Sequence, residues 1–363
     1  MSTATSEERV VRKIDSYLEE TVRSGGSDLH FMAGDPARIR VHGELRAMGG
    51  SELAQAHVED ALYEIMSPSV RRHFEQENSA DFAYEIPGLS RFRVNVLRQL
   101  NGMGAVLRTI PTKTLTLEDL KMPAAVRNLC RQPQGMILVT GKTGSGKSTT
   151  LAAMIDELNN RLKGHILTIE DPIEFVHIRK GCLISQREIG KHSSDFASAL
   201  HSALREDPDV ILVGEMRDLE TISIAVTAAE MGILVMGTLH TNGAAPTIDR
   251  IINSFPAEKQ AQIRTMLSTS LKGIISQQLV ATKGKPGRVA ALEILINTPA
   301  ISNLIRQGKI DQLENSIQSG GAQGMKTMDT ALQELYDTAM ISGRDAYEKA
   351  INKTRFANVK DNT

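Results

Sequence analysis

Gly141-Lys142-Thr143-Gly144-Ser145-Gly146-Lys147-Ser148 matches the pattern GxxxxGK(S/T), and its reading decides the fold of the larger part of the chain. The residues before it, Met136 to Thr140, form a short apolar run of the kind expected for a buried strand. Those that follow, Lys147 to Leu162, have helical length. A strand feeding a glycine-rich turn that opens a helix is the context in which this pattern grips a nucleoside triphosphate. Glycines let successive N–H groups curl toward phosphate oxygens, and the helix N-terminus adds partial positive charge. Lys147 is then expected to reach the β- and γ-phosphates, and the Ser148 hydroxyl to ligate Mg²⁺, with Thr149 beside them. ATP and Mg²⁺ are the cofactors this implies.

Working outward, the apolar runs recur at His165 to Ile169, Val210 to Val213, Ile233 to Leu239 and Val289 to Ile296. Helical patterns fall between them at Ser194 to Arg205 and Leu219 to Glu230, and later at Ala257 to Gln278 and Met328 to Ala339. Alternation of this kind predicts an α/β fold with a mostly parallel, doubly covered sheet and a largely helical C-terminal third.

The rhythm before the loop is different. Glu7 to Arg23 sets Val10, Val11, Ile14, Leu18 and Val22 on one helical face and stops at Gly25-Gly26. Short alternating stretches follow: Ala37 to Val41 turning through His42-Gly43, and Phe92, Val94 and Val96 running toward Asn101-Gly102. With a helix over Glu52 to Met66, this reads as a smaller α+β domain over 1–112. A Thr/Pro-rich linker over 113–122 and a second domain over 123–363 complete the expected organisation.

Hydrolysis needs carboxylates to hold the metal's water shell and to orient or deprotonate the attacking water. Ile169-Glu170-Asp171-Pro172-Ile173-Glu174 and Asp209-Val210-Ile211-Leu212-Val213-Gly214-Glu215 both deliver acids to strand ends, where ligands gather in open α/β sheets. Glu215 is the expected main catalytic carboxylate, with Glu170 and Asp171 near the water or the metal, Asp171 acting through water. Acids at strand ends also serve as turn and helix-cap residues, the role expected of Asp207. Gly237-Thr238-Leu239-His240-Thr241-Asn242 puts His240 on the same edge, placed to sense a γ-phosphate.

Hydrophobic residues make up 41% and charged residues 23%, which excludes a disordered or fibrous chain. The balance of 42 basic against 43 acidic side chains supplies no global field for nucleic acid, so no nucleic-acid partner is expected. Cys130 and Cys182 are too few for a disulfide framework or a four-cysteine zinc site and are expected to pack in cores. No apolar signal core or membrane-length run occurs, so a cytoplasmic location is expected.

Taken in order, these residues resemble the pilus retraction ATPases of the PilT/PilU group, within the secretion ATPase superfamily. GKTGSGKSTTLAAMID (141–156) is similar to the family's Walker A loop and ILTIEDPIEF (166–175) to its aspartate box. LREDPDVILVGEMRDLETI (204–222) is similar to the Walker B box and GTLHTN (237–242) to the histidine box. Gly26-Ser27-Asp28-Leu29-His30 and Ser90 to Arg108 resemble the family's PAS-like N-terminal domain. The resemblance implies a RecA-like ATPase domain behind that module and a homohexamer binding ATP between subunits. Arg93 and Arg108, with Arg91 nearby, match the family's N-terminal arginines that reach a neighbour's nucleotide. It also implies peripheral association with inner-membrane pilus machinery, contact with its platform protein, and a possible second retraction ATPase as partner.

Three departures stand out: Lys142 where the family usually has proline, Ile233 where a first histidine is common, and Ser302 within Ala300 to Arg306 where the motif AIRNLIR has arginine. Three other readings stay open on the residues alone: an accessory ATPase dependent on another motor, a phosphate-loop kinase, and a nucleic-acid motor.

Overall fold

The computed structural model describes residues 11–41, 43–110, 115–284 and 287–361. Residues 7–10 of the expected opening helix, Val10 among them, His42 of the expected turn and residues 113–114 of the expected linker lie outside these. The chain divides into two compact units, Met1–Lys113 and Thr114–Thr363.

The first unit holds the helices α1 (Asp15–Arg23), α2 (Gln55–Ile65) and α3 (Pro68–Glu77). Its strands are β1 (Asp28–Met32), β2 (Arg38–Val41), β3 (Glu44–Ala47), β4 (Ser79–Ile86), β5 (Ser90–Gln99) and β6 (Gly102–Ile110), in the sheet order β3-β2-β1-β6-β5-β4. Every neighbouring pair is antiparallel, and the expected β5–β6 hairpin is present but shifted: the chain turns through Leu100-Asn101, and Gly102, at φ +119°, already belongs to β6 opposite Gln99. Phe92, Val94 and Val96 alternate inward with Leu29, Phe31 and Leu107 to form the core against Leu18, Leu62 and Phe74 of the helices. Val11, expected on the helical face, is 71% exposed, because α1 begins only at Asp15. The helix α3 was not legible as apolar periodicity. It is set by its ends: Ser67 accepts from Val70 N–H, Pro68 stands in the first turn, and Asn78 closes it in the left-handed region.

The second unit is a seven-stranded sheet of β7 (Gly135–Thr140), β8 (His165–Glu170), β9 (Leu183–Glu188), β10 (Val210–Val213), β11 (Leu234–Leu239), β12 (Leu271–Ala281) and β13 (Arg288–Ile296). The order is β13-β12-β7-β11-β10-β8-β9, parallel throughout except for the antiparallel edge pair of β12 and β13. The helices are α4 (Ala124–Leu129), α5 (Lys147–Arg161), α6 (Phe196–Ala203), α7 (Leu219–Glu230), α8 (Ala244–Asn253), α9 (Ala257–Ser270), α10 (Pro299–Gln307), α11 (Leu313–Ser319), α12 (Met328–Asp337) and α13 (Gly343–Lys349). Two core layers lie on opposite faces of the sheet. Met136 and Leu138 of β7 face one of them with α6 to α9, while Ile137 and Val139 face the other with α4 and α5. Every residue of β7, β10 and β11 is buried, which is why these strands read as unbroken apolar runs.

The helix expected over Ala257 to Gln278 is corrected: α9 stops at Ser270 and the chain continues as β12. Gly273 to Ile275 are flanked on both sides by strands, and Gly273 lets the Leu129 side chain and the Leu295 carbonyl approach within 3 Å of where its Cβ would stand. A short apolar run buried on both faces carries no periodicity to separate strand from helix. Leu117, within the stretch expected to be linker, is buried in the second unit's core.

Glu293 on β13 is 5% exposed and accepts the N–H groups of Ala244 (2.7 Å) and Met328 (3.3 Å), the first residues of α8 and α12. Burial pushes its carboxyl upward, against those two hydrogen bonds. Cys130 and Cys182 are both buried free thiols, and burial drives Cys130 up to about 12, leaving it inert.

Candidate functional site: a phosphate loop and an acid–histidine cluster

Parallel register brings the loops to one edge. Ile169, Val213, Gly237 and Leu138 stand side by side across β8, β10, β11 and β7, so everything just beyond them emerges together. On that edge lie the phosphate loop, Glu170-Asp171, Glu215 and His240, as the sequence predicts.

The loop from Gly141 to Gly146 turns through glycines at φ +141° (Gly141), +79° (Gly144) and +88° (Gly146), a backbone path that other residues rarely take. A side chain at Gly144 would meet nothing within 4 Å, but its φ still favours glycine. Lys142, Thr143 and Gly144 are exposed, Ser145 and Lys147 buried, and Ser148 and Thr149 half-buried. Lys147 Nζ donates to the carbonyls of Gly141 (3.0 Å) and Lys142 (3.3 Å). Burial lowers its ammonium pKa, opposed by the charges of Glu215 and Glu174. Ser145 Oγ is buried without a hydrogen-bond partner among the described residues.

Glu215 sits two residues past β10. Its Oε1 is 2.9 Å from His240 Nε2 and 2.5 Å from Arg217 Nε, and its Oε2 accepts from Arg217 Nη2 at 2.6 Å. Burial alone would raise this carboxyl, but the Arg217 hydrogen bond and the charges of His240, Arg217 and Lys147 bring it below the usual carboxylate value. His240 Nδ1 lies 3.5 Å from Thr143 Oγ1, so the imidazole spans from the acid to the phosphate loop. Arg217 was missed on sequence; the signal available was a guanidinium two residues beyond the acid, in Glu215-Met216-Arg217.

The aspartate-box acids diverge. Asp171 is exposed and close enough to contribute to the charge environment of Arg217. Glu170 turns inward, 8% exposed, accepting from Thr168 Oγ1 (2.7 Å), Gln186 Nε2 (3.3 Å) and Glu174 N–H (3.4 Å). Burial pushes it up to about 7 despite these donors. Asp207 lies in the loop before β10 at φ +51°.

In the first unit, Arg93 of β5 stands directly opposite Arg108 of β6, and Arg108 opposite Asp28 of β1. Arg93 is exposed. The side chain of Arg108 is 67% exposed, yet its Nε donates to Oδ1 of the buried Asp28 at 2.8 Å. The Asp28 carboxyl lies below its ordinary value, because hydrogen bonds from Ser27 and Arg108 outweigh the upward push of burial.

The family model described as "Type II/IV secretion system protein" matches residues 3–346. The chain belongs to the type II/IV secretion system protein family. Among relatives in this family, the "Type IV pilus retractation ATPase PilT" of Pseudomonas aeruginosa is 54% identical over 337 residues, covering 93% of this chain and 98% of its own. The "Type IV pilus ATPase PilU" of the same organism is 40% identical over 338 residues, covering 93% and 88%. A crystal structure of the pilus retraction motor PilT with bound ADP superimposes with a TM-score of 0.89 at 42% identity, covering 96% of this chain and 99% of that one. The secretion-family match therefore spans both units and every residue of the cluster, and the sheet is the α/β ATPase fold expected. Among the described residues no helix is long and apolar enough to cross a membrane, and no group of three or more His, Cys, Asp or Glu side chains could hold a metal ion.

Proposed function

We propose that this chain is a motor ATPase that hydrolyses ATP to drive type IV pilus retraction, and that it works as a homohexamer. The observation carrying the reading is the cluster at one sheet edge: a left-handed glycine loop with Lys147, beside Glu215 held by His240 and Arg217. The Ser145 hydroxyl, without a hydrogen-bond partner among the described residues, and the positive-φ glycines fit an anion in the loop. Mg²⁺ would be held by Ser148 and the nucleotide's own phosphates, with Asp171 acting through water. When bound, the ion would neutralise charge on the phosphates.

The chain's own residues supply the remainder. Lys147 grips the phosphates and can exchange its two carbonyl partners for phosphate oxygens. Glu215, ionised at neutral pH, accepts a proton from the attacking water. His240 orients that carboxylate and links it to Thr143 of the loop. Glu170, inward and bonded at both carboxylate oxygens, braces the aspartate-box turn through Glu174 N–H. Arg93 and Arg108 belong to a first module, 1–112, that serves a neighbouring protomer, their guanidiniums answering the charge of the transferring phosphoryl group. The 113–122 stretch joins the modules. The motor is placed in the cytoplasm against the pilus platform protein of the inner membrane.

A second reading, an accessory ATPase that depends on another retraction motor, is favoured by one observation. Where the retraction-linked motif carries arginine, Ser302 donates instead to the Ser268 carbonyl at 2.6 Å, closing α10 onto α9.

Turnover by the purified protein and complementation of a deletion strain test both readings. Lys147→Ala is expected to abolish nucleotide binding. Glu215→Gln is expected to bind nucleotide but lose about 10²-fold or more in turnover, and to leave cells with surplus immobile pili. Equal turnover in the Glu215 variant would overturn its assignment; pilus retraction by a strain lacking every other retraction motor would exclude the accessory reading.

A further inference from the structure

Strand β12 carries two adjacent polar side chains, Ser276 and Gln277, which are 1% and 3% exposed in a strand of otherwise mostly aliphatic burial. Burying an amide is costly unless all its groups are bonded. Gln277 meets that condition through the phosphate loop. Its Nε2 donates to the Ser145 carbonyl at 2.7 Å, and its Oε1 accepts from Thr150 Oγ1 at 2.7 Å. A carbonyl can only accept, so the amide can be oriented in this way alone. Ser145 lies at the middle of the loop and Thr150 in the first turn of α5, so the two bonds bracket Lys147 and Ser148.

The fit is close on the glycine side as well. A Cβ at Gly146 would stand 2.7 Å from Gln277 Nε2, and one at Gly141 2.3 Å from the Gln277 carbonyl oxygen. Gly141 is therefore required by the β12 backbone in addition to its φ, and Gly146 leaves room for the Gln277 amide itself. The loop is seated on this strand, which lies on the side of β7 away from Glu215.

We infer that Gln277 is a positioning residue for the nucleotide: acting through Ser145 and Thr150, it holds the loop's N–H groups converged before any phosphate arrives. The inference rests on the ATP-binding reading above and adds a residue from outside the loop and the acid–histidine cluster. Preorganisation of this kind is felt in binding, because an unbraced loop must be ordered by the ligand itself. It touches the chemical step little, since Glu215 and His240 are held from other strands.

The test compares full-length wild type with Gln277→Met, which keeps the shape without hydrogen bonds, Gln277→Glu, which keeps the acceptor for Thr150 but loses the donor to Ser145, and Thr150→Val. Dissociation constants for a fluorescent ADP analogue, KM and kcat for ATP, and melting temperature are measured on each. Loss of a satisfied buried amide predicts that Gln277→Met weakens binding and raises KM by about tenfold, with kcat within about threefold of wild type. Gln277→Glu should be at least as impaired, and Thr150→Val should add little to Gln277→Met, because both remove the same brace. Binding and KM within about twofold of wild type in Gln277→Met, whatever happens to its melting temperature, would overturn the inference. If Gln277→Met does not fold, unchanged KM in Thr150→Val overturns it instead. Wild type that binds no nucleotide would overturn the ATPase reading too, whereas wild type and variant binding alike would overturn this inference alone.

Discussion

His240 Nε2 lies 2.9 Å from Glu215 Oε1, closing a contact between the ends of two adjacent parallel strands. Val213 of β10 is in register with Gly237 of β11, so an acid two residues beyond one and an imidazole three beyond the other meet above the sheet. Arg217 takes the opposite flank of the same carboxylate. One acid is thus oriented from two directions and kept charged.

Removing the imidazole should be read in a pH profile. With His240→Ala, Glu215 loses one of the partners that hold its carboxyl down, so its pKa rises. The group then protonates at higher pH on acidification, and the acid limb of kcat/KM moves upward. Turnover should fall about tenfold, less than for Glu215→Gln. Steady-state assays carried down through the ordinary carboxylate range, from about pH 7 to about pH 3.5, check this, and an unmoved acid limb would refute the coupling.

Glu170 makes a different prediction, about stability. Burial raises its carboxyl from 4.5 to about 7, so folding favours the protonated form. A raised folded-state value stabilises fully below about pH 4.5, and that contribution is lost as pH rises through about 7. The displacement corresponds to roughly 3 kcal/mol. Glu170→Gln, neutral throughout, should therefore melt close to wild type at pH 5 and above it at pH 8. Parallel melting curves for the two proteins across that range would contradict the assignment.

Arg93 and Arg108 should separate by what each does at home. Arg93 faces a like charge across the hairpin, so Arg93→Ala should leave the melting temperature unchanged or slightly higher, within about 0.5 kcal/mol. Arg108→Ala leaves the buried Asp28 carboxylate short of a donor and should melt lower. Both should lose turnover on the order of 10³-fold if they act on a neighbour's phosphates. Mixing Arg93→Ala with Glu215→Gln subunits should then restore part of the activity, since some interfaces regain both groups. No recovery in the mixture would count against action across the interface.

The parts of this architecture fixed by local chemistry could be read from residues alone. β7, β10 and β11 are buried on both faces and so appear as apolar runs, and α7 spans Leu219–Glu230 as expected, capped by Asp218 accepting from Thr221 N–H. What stayed illegible depends on neighbours distant in sequence. The run from Gly273 becomes strand because β7 and β13 offer it a place between them, although its surroundings suit a helix equally well. Glu170 turns inward because Thr168 and Gln186 meet it there, while Asp171, the next residue, stays outside. Gln277 carries no motif; its importance lies 132 residues away at Ser145.

The carboxylate of Glu293, which accepts from the leading amides of both α8 and α12, ties the C-terminal helices to the segment just beyond His240. Peeling α12 away would strand a buried acceptor at a cost of about 1–3 kcal/mol. Partial opening that frees the tail yet spares the catalytic edge is thereby disfavoured. Amide exchange in these two helices should occur through shared cooperative events, as in a single foldon.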